Sequence, residues 1–140
     1  MNKKIFIILL FLFFNLDSIA KSKISYFELG KKNFNEKKFE QAELNFQKEI
    51  VRNTKSAKSY LYLAKIYKIK KLNDELEKNL NTVLLLDPKN EEALYMLIVK
   101  KVNDGDYDLA KNKLNIFKNS CKDLCGKNDQ LNKLIKKSKI

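Results

Sequence analysis

Histidine is absent from this 140-residue sequence, which also has no tryptophan, one proline, three glycines and two cysteines. Without histidine the chain lacks the side chain that most often serves as a general base and as a metal ligand. No Ser–His or Cys–His catalytic pair can form, and Cys121 and Cys125 are too few to complete a zinc site. No glycine-rich phosphate loop occurs either. These absences predict a protein that is not an enzyme and that uses no cofactor or metal ion.

The scarcity of glycine and proline disfavours a turn-rich all-β fold and favours long helices joined by short turns. Apolar residues make up 44% of the sequence, which is ordinary for a globular protein and too high for a disordered chain. A length of 140 residues accommodates about one domain. The composition therefore predicts one folded domain of the all-α class.

The charge is strongly one-sided, with a formal net charge of +12 and Arg52 as the single arginine among 29 basic residues. One interpretation is a solvated surface, because an AT-rich genome produces an excess of lysine, asparagine and isoleucine without any functional cause. The other is attraction to an anionic membrane surface or an acidic polymer, for which positive charge alone suffices. Nucleic acid is disfavoured as a partner, since the sequence has no recognised nucleic-acid motif.

The first 20 residues have the three-part layout of a secretory signal peptide. Lys3 and Lys4 give a basic start, residues 5–14 form an unbroken apolar run, and Ala20 ends a small-residue cleavage site. The apolar run is shorter than the stretch of about 20 residues that spans a bilayer, although an uncleaved anchor stays open. We therefore expect export, to the periplasm if the source is a Gram-negative bacterium, with residues 21–140 as the mature domain.

Beyond the signal peptide, apolar residues recur at steps of three and four, which is typical of amphipathic helices. The pattern is clear at Leu63 and Tyr67, and it stops at Pro88, which cannot continue a helix interior. The predicted helices form three paired units and one last single helix, at about residues 23–56, 57–90, 91–124 and 127–138.

The units repeat with a period of 34 residues. A step of 34 brings Leu29 onto Leu63 and Leu97. The same step brings the small residue Gly30 onto Ala64. This period, with large residues around a small one, resembles the tetratricopeptide repeat (TPR). The resemblance implies an all-α solenoid of three TPR-like helix–turn–helix units plus a C-terminal capping helix that covers the last apolar face.

Some segments fit the family's pattern closely and others depart from it. The closest segments are residues 29–30, 39–42, 87–88 and 105–110. The departures are a large residue where a small one is usual at Leu76 and Ile98, and the absence of the usual proline at Thr54 and Lys122. They leave the helix crossing in the third unit open, and a plain helical bundle is the alternative fold.

In the family that this sequence resembles, the first helices of the pairs line a concave groove that takes up peptides. The resemblance implies a groove lined by Phe27, Lys31, Phe34, Asn35, Lys58, Leu61, Lys65, Lys68, Ile69, Tyr95, Val99 and Asn103. These lysines and aromatic residues suit a protein or peptide partner with acidic groups, although solvated lysines around an apolar seam fit equally well. We expect an exported, non-enzymatic TPR adaptor or scaffold. The alternative is a basic envelope protein that binds an anionic membrane surface or acidic polymers by charge.

Cys121 and Cys125 lie four residues apart, near the predicted end of the third unit. Four helical residues rise about 6 Å, which a disulfide accepts, but the bridge needs a local break in the helix. An oxidising compartment favours a structural disulfide that holds the capping helix. A reactive dithiol is disfavoured because the spacing is not Cys-x-x-Cys, and two buried reduced cysteines are the third alternative.

Overall fold

The computed structural model describes residues 25–137, so the predicted signal peptide, residues 1–20, lies outside the described part. Within that part the chain forms seven α-helices and a 3-10 turn at Cys125–Lys127, without a β-strand. The helices are α1 Tyr26–Asn35, α2 Phe39–Arg52, α3 Ala57–Lys70, α4 Asn73–Leu86, α5 Glu91–Asn103, α6 Tyr107–Ser120 and α7 Asn128–Lys137. None of these seven is long and apolar enough to cross a membrane.

The helices pack as successive pairs, α1 with α2, α3 with α4, and α5 with α6. Each pair contacts the next one, through α2 with α3 and through α4 with α5, and α7 packs against both α5 and α6. A stack in which each unit is held mainly by its neighbours is a solenoid. The all-α solenoid that the repeat predicts is therefore confirmed.

The turn inside each pair contains one residue with positive φ: Lys37 (59°), Lys71 (58°) and Gly105 (80°). These positions are 34 residues apart, so the backbone repeats with the same period as the sequence. Glycine adopts the left-handed conformation freely, whereas a residue with a Cβ pays about 1 kcal/mol for it. The packing of the helix pairs thus imposes this turn even in the two units that lack glycine there.

A small residue is required where α1 crosses α2. A Cβ atom at Gly30 would lie only 2.8 Å from Cε1 of Phe46, which is itself fully buried. Ala64 is fully buried at the equivalent position of the second unit. In the third unit Ile98 replaces the small residue, and it is fully buried in the cluster against which α7 packs.

Helix α7 covers the apolar end of the stack. Its Leu131 and Ile135 are buried in one cluster with Leu94, Ile98 and Phe117 from α5 and α6. Full burial of one such side chain stabilises by about 1.5–3 kcal/mol. The capping helix is therefore part of the core, not an appendage.

Candidate functional site

One face of the stack carries an open groove of about 1170 Å³. The first helices of the three pairs, α1, α3 and α5, all contribute to it, together with the α4–α5 turn, the end of α6 and the loop that follows α6. The groove is lined by Phe34, Leu61, Lys65, Lys68, Ile69, Asp87, Lys89, Asn90, Glu91, Glu92, Tyr95, Met96, Ser120, Lys122, Asp123 and Leu124. It therefore runs across all three units.

Six of the twelve residues predicted to line a groove line this one, namely Phe34, Leu61, Lys65, Lys68, Ile69 and Tyr95. Phe27 lies outside because its ring packs against Phe46, with the ring centroids 5.9 Å apart. Val99 packs against the cluster under α7 instead. The remaining four are exposed elsewhere on the surface, namely Lys31, Asn35, Lys58 and Asn103.

Phe34, the residue of α1 that lines the groove, belongs to a cluster of aromatic rings. Tyr62 stacks on Phe46 at a centroid distance of 4.9 Å and meets Phe34 edge-on at 5.2 Å. Phe34 also meets Phe39 edge-on at 5.6 Å. Such pairs stabilise by about 0.5–1.5 kcal/mol beyond their burial, so the cluster holds the ring of Phe34 in position. Tyr62 itself does not line the groove; it falls in helical register between the groove-facing and the core-facing positions of α3.

The floor of the groove is apolar. Leu61 and Tyr95 are partly buried, and Met96 is 8% exposed. Ile69 keeps 50% of its surface exposed, although it lies inside a concavity. Covering such apolar surface contributes about 25 cal/mol per Å² before the entropic costs of association are subtracted. The floor is therefore suited to apolar side chains of a partner.

Charged residues line the rim of the groove in equal numbers of each sign, four lysines and four carboxylates. They are Lys65, Lys68, Lys89, Lys122, Asp87, Glu91, Glu92 and Asp123. Lys65 is already paired, because its Nζ lies 2.9 Å from Oε1 of Glu92 and 4.7 Å from the ring centroid of Tyr62. The sequence indicates the lysines but not the role of the carboxylates, since the helix dipole by itself explains acidic residues in the first turn of α5.

The loop after α6 binds the side chain of Glu91. The carboxylate accepts hydrogen bonds from the backbone N–H groups of Lys122 (2.6 Å), Asp123 (3.0 Å) and Leu124 (2.7 Å). We call these three N–H groups the amide cradle. They stabilise the charged form, so they hold the pKa of Glu91 below its usual range, with the N–H of Leu124 as the largest cause. The partners lie 31 to 33 residues apart, and no local sequence pattern indicates the contact.

A disulfide joins Cys121 to Cys125 and closes a five-residue ring that contains the amide cradle. Helix α6 ends at Ser120, so the ring starts just beyond the helix, where the backbone is free to bend. The 3-10 turn begins at Cys125 itself, and α7 follows it directly. Among residues 25–137 there is no free cysteine and no group of acidic or cysteine side chains arranged to hold a metal ion.

Ion pairs join the second unit to the third. Glu77 of α4 contacts Lys100 of α5 at 2.9 Å and also contacts Lys101. Lys100 in turn contacts Asp104 at 2.7 Å. The hydrogen bond from Lys101 is the main cause that holds the pKa of Glu77 below its usual range. These ion pairs link α4 to α5 in addition to the apolar packing between the two helices.

Acidification is expected to weaken this link between units. The pKa of Glu77 is lower in the folded chain than in the unfolded one, so the stabilisation is complete above about pH 4.3 and is lost as the pH falls through the folded pKa. At neutral pH, Glu77→Gln should lower the free energy of unfolding by about 1 kcal/mol. The difference in the free energy of unfolding between the wild type and Glu77→Gln, measured by urea unfolding, should shrink progressively in acid. Glu75→Gln, at an exposed carboxyl of the same helix, is the control, and a pH-independent loss at Glu77 would contradict this prediction.

No protein-family model matches the sequence, and no curated protein matches it. Solved structures do match the fold. One is the type III secretion chaperone SycD of Yersinia enterocolitica in complex with a peptide of the translocator YopD. It is 14% identical in sequence, and the match has a TM-score of 0.70 and covers 81% of this chain and 89% of that chain.

Two further neighbours are TPR domains. The TPR2B domain of yeast Sti1 in a complex with pHsp70 is 17% identical, with a TM-score of 0.65 over 79% of this chain and 90% of that one. The second TPR domain of human RPAP3 in complex with the HSP70 peptide SGPTIEEVD is 23% identical, with a TM-score of 0.67 over 84% of this chain and 94% of that one. Identities this low show the fold alone. The chain therefore has the fold of tetratricopeptide-repeat domains.

Proposed function

We propose that this protein is an exported, non-enzymatic adaptor that binds a protein or peptide partner in the groove. The observation that carries the proposal is a groove of about 1170 Å³ with an apolar floor, lined by the first helices of all three pairs. SycD and the RPAP3 domain, which have the same fold, were both determined in complex with peptides. That likeness supports a peptide as the kind of partner and leaves its identity to experiment.

The lining favours a partner segment with apolar anchors. Leu61, Ile69 and Tyr95 offer apolar surface along the floor, while the four lysines of the rim are matched by four carboxylates. A rim without net charge gives little overall attraction to an acidic segment. Charged groups of the partner would then set its register in the groove. A peptide with apolar anchors is therefore the partner we propose, and an acidic peptide is a special case that the lysines would favour.

Export is part of the proposal and rests on residues 1–20, with their basic start, apolar run and small residues before Ala20. Mass spectrometry of the protein recovered from the envelope fraction tests it. The expected N-terminus is Lys21. A chain that still carries residues 1–20 in the membrane fraction would indicate the uncleaved anchor instead.

Ile69→Asp is expected to weaken peptide binding by at least about tenfold, because a carboxylate on the apolar floor must be desolvated when the partner docks. Peptides are selected from a displayed random library, and their dissociation constants are measured by fluorescence anisotropy. Ile69 is half exposed, so the substitution should leave the fold intact. Leu85→Asp is the matched control, since Leu85 is 81% exposed and lies outside the groove. If Ile69→Asp binds every selected peptide as the wild type does, the groove is not the binding site.

The double variant Lys65→Glu/Lys68→Glu separates the acidic partner from the apolar one. Selected peptides with acidic side chains should lose affinity for it, whereas peptides without them should bind as before. Lys65 pairs with Glu92, so the change also puts two carboxylates side by side on the rim. Unchanged binding of acidic peptides would reject a role for these lysines.

A second candidate function rests on the last third of the described chain, where residues 107–137 contain eight lysines and three acidic residues. Binding of this segment to an anionic membrane surface or an acidic polymer would be driven by charge and screened by salt. Sedimentation with phosphatidylserine vesicles at low and high salt tests it. A steep salt dependence that Ile69→Asp leaves unchanged would favour this second function over the first.

A further inference from the structure

The loop that ends the groove combines a disulfide with a bound carboxylate. The ring from Cys121 to Cys125 holds the amide cradle, and the cradle holds Glu91 at the start of α5. The three residues that supply the cradle also line the groove. The covalent state of the two cysteines is therefore connected, through three hydrogen bonds, to the shape of the binding surface.

We propose that the disulfide between Cys121 and Cys125 is a redox gate at the end of the groove: oxidised, it holds the amide cradle on Glu91, and reduced, it releases this wall of the groove. The inference rests on the proposed function, because it concerns the regulation of the same groove. It adds that the groove is complete only in surroundings that keep the disulfide oxidised.

The amide cradle depends on the ring because three successive N–H groups must point at one carboxylate. The hydrogen bonds from Lys122 and Asp123 are exposed and the one from Leu124 is partly buried, so water competes for the donors and for the acceptor. A free loop of this length samples many backbone conformations, and ordering it opposes the contact. The disulfide removes most of those conformations in advance. It thereby favours convergence on Glu91 at a position that water still reaches in part.

The ring is open to a reductant. Cys125 is exposed and Cys121 is partly exposed. A thiolate of an external dithiol attacks one sulfur, which breaks the protein's S–S bond, releases the other cysteine as a thiolate and leaves a mixed disulfide; the second thiol of the reductant, as its thiolate, then attacks the reductant's own sulfur and releases the remaining cysteine. Two electrons and two protons pass to the cysteines, which become two thiols, while the dithiol becomes a disulfide. Exchange in the opposite direction closes the ring again.

Release of the ring should act locally, since α7 has contacts of its own. Leu131 and Ile135 stay buried in the cluster with α5 and α6. Nζ of Lys118 also donates to Oδ1 of Asn132 at 3.1 Å, which links α6 directly to α7. The position of α7 therefore does not depend on the disulfide alone. Reduction should free residues 122–124 while the solenoid stays folded.

Hydrogen exchange of the full chain tests the gate without any peptide. Reduction with dithiothreitol should speed the exchange of amides 122–124 by at least about tenfold, while amides of α1 to α4 keep their rates. Cys121→Ser/Cys125→Ser should exchange like the reduced wild type and should not respond to the reductant. Equal rates at residues 122–124 in both states would overturn the gate. Faster exchange along the whole chain would overturn it too, since the disulfide would then hold the fold and not one wall of the groove.

Glu91→Gln tests whether Glu91 is the group that the ring holds. The glutamine side chain is neutral and accepts hydrogen bonds from the cradle more weakly than a carboxylate does. Hydrogen exchange at residues 122–124 should therefore speed up although the disulfide ring stays closed. Glu92→Gln is the matched control on the neighbouring residue, whose carboxylate pairs with Lys65 and not with the cradle. Glu91→Gln with wild-type exchange at residues 122–124 would show that the cradle does not need its carboxylate, and the gate would fall.

Peptide binding separates the gate from the proposed function. A peptide selected on the oxidised protein should bind the reduced wild type at least about fivefold more weakly, and Cys121→Ser/Cys125→Ser should bind it equally with and without reductant. Equal binding in both states of the wild type overturns the gate and leaves the adaptor function standing. If no selected peptide binds in either state, the adaptor function fails, and faster exchange at residues 122–124 on reduction still upholds the redox-dependent release of the loop.

Discussion

Phe46→Ala is expected to lower the free energy of unfolding by about 3–5 kcal/mol, the range for removing a buried aromatic ring. Phe46 is fully buried, and its ring is stacked on Tyr62 and tilted against Phe27. Truncation would leave a cavity between the first two units, where these rings come from three different helices. Thermal and urea unfolding of the purified variant measure the loss, and the urea midpoint should fall with the slope unchanged.

The control for Phe46→Ala is Leu85→Ala, which removes a side chain that is 81% exposed on α4. Its effect should stay within about 0.5 kcal/mol, as for surface substitutions in general. A loss below about 1 kcal/mol at Phe46 would contradict its place at the centre of the core, since even poorly packed sites lose more than that on truncation. The same variant should weaken peptide binding only in proportion to the unfolded fraction, because Phe46 does not line the groove.

The fold could be predicted from the sequence because its signals are local and occur three times. Each helix shows apolar residues at steps of three and four, and the repeat fixes which faces meet. Leu63 and Leu97, which the period of 34 superimposes, are both buried in the first core cluster. The positive φ at Lys37 and Lys71 escaped prediction, since lysine gives no sign of a left-handed turn. There the packing of the helix pair overrides local preference.

The groove could be predicted only in part, because its ends depend on contacts between units. Lys65 and Glu92 lie in different pairs, and their contact depends on how the second pair packs against the third. The contact of Glu91 with the loop at Lys122 to Leu124 spans 31 to 33 residues, close to one full period. A periodic pattern indicates which residues are buried. It contains no information on which charged side chains meet across the surface.

Gly30→Leu is expected to destabilise the protein by about 2–3 kcal/mol, because the new side chain overpacks the crossing of α1 and α2. Its Cβ alone would lie 2.8 Å from Cε1, 2.9 Å from Cδ1 and 3.0 Å from Cζ of Phe46. The ring is fully buried and in contact with Phe27 and Tyr62, so it has no room to turn away. The gain in helix propensity from glycine to leucine is under about 1 kcal/mol and does not offset the clash.

Gly126→Leu is the control for Gly30→Leu, since a Cβ at Gly126 meets no atom within 4 Å. It should change the stability by less than about 0.5 kcal/mol. The decisive measurement is the double variant Gly30→Leu/Phe46→Ala, in which leucine enters the space that the ring leaves. This variant should be more stable than Phe46→Ala alone, so the coupling between the two sites should exceed the cost of about 2–3 kcal/mol that Gly30→Leu has alone. Additive losses would contradict direct contact at this crossing. If Gly30→Leu destabilises the wild type but stabilises Phe46→Ala, the ring of Phe46 is the reason why position 30 must be small.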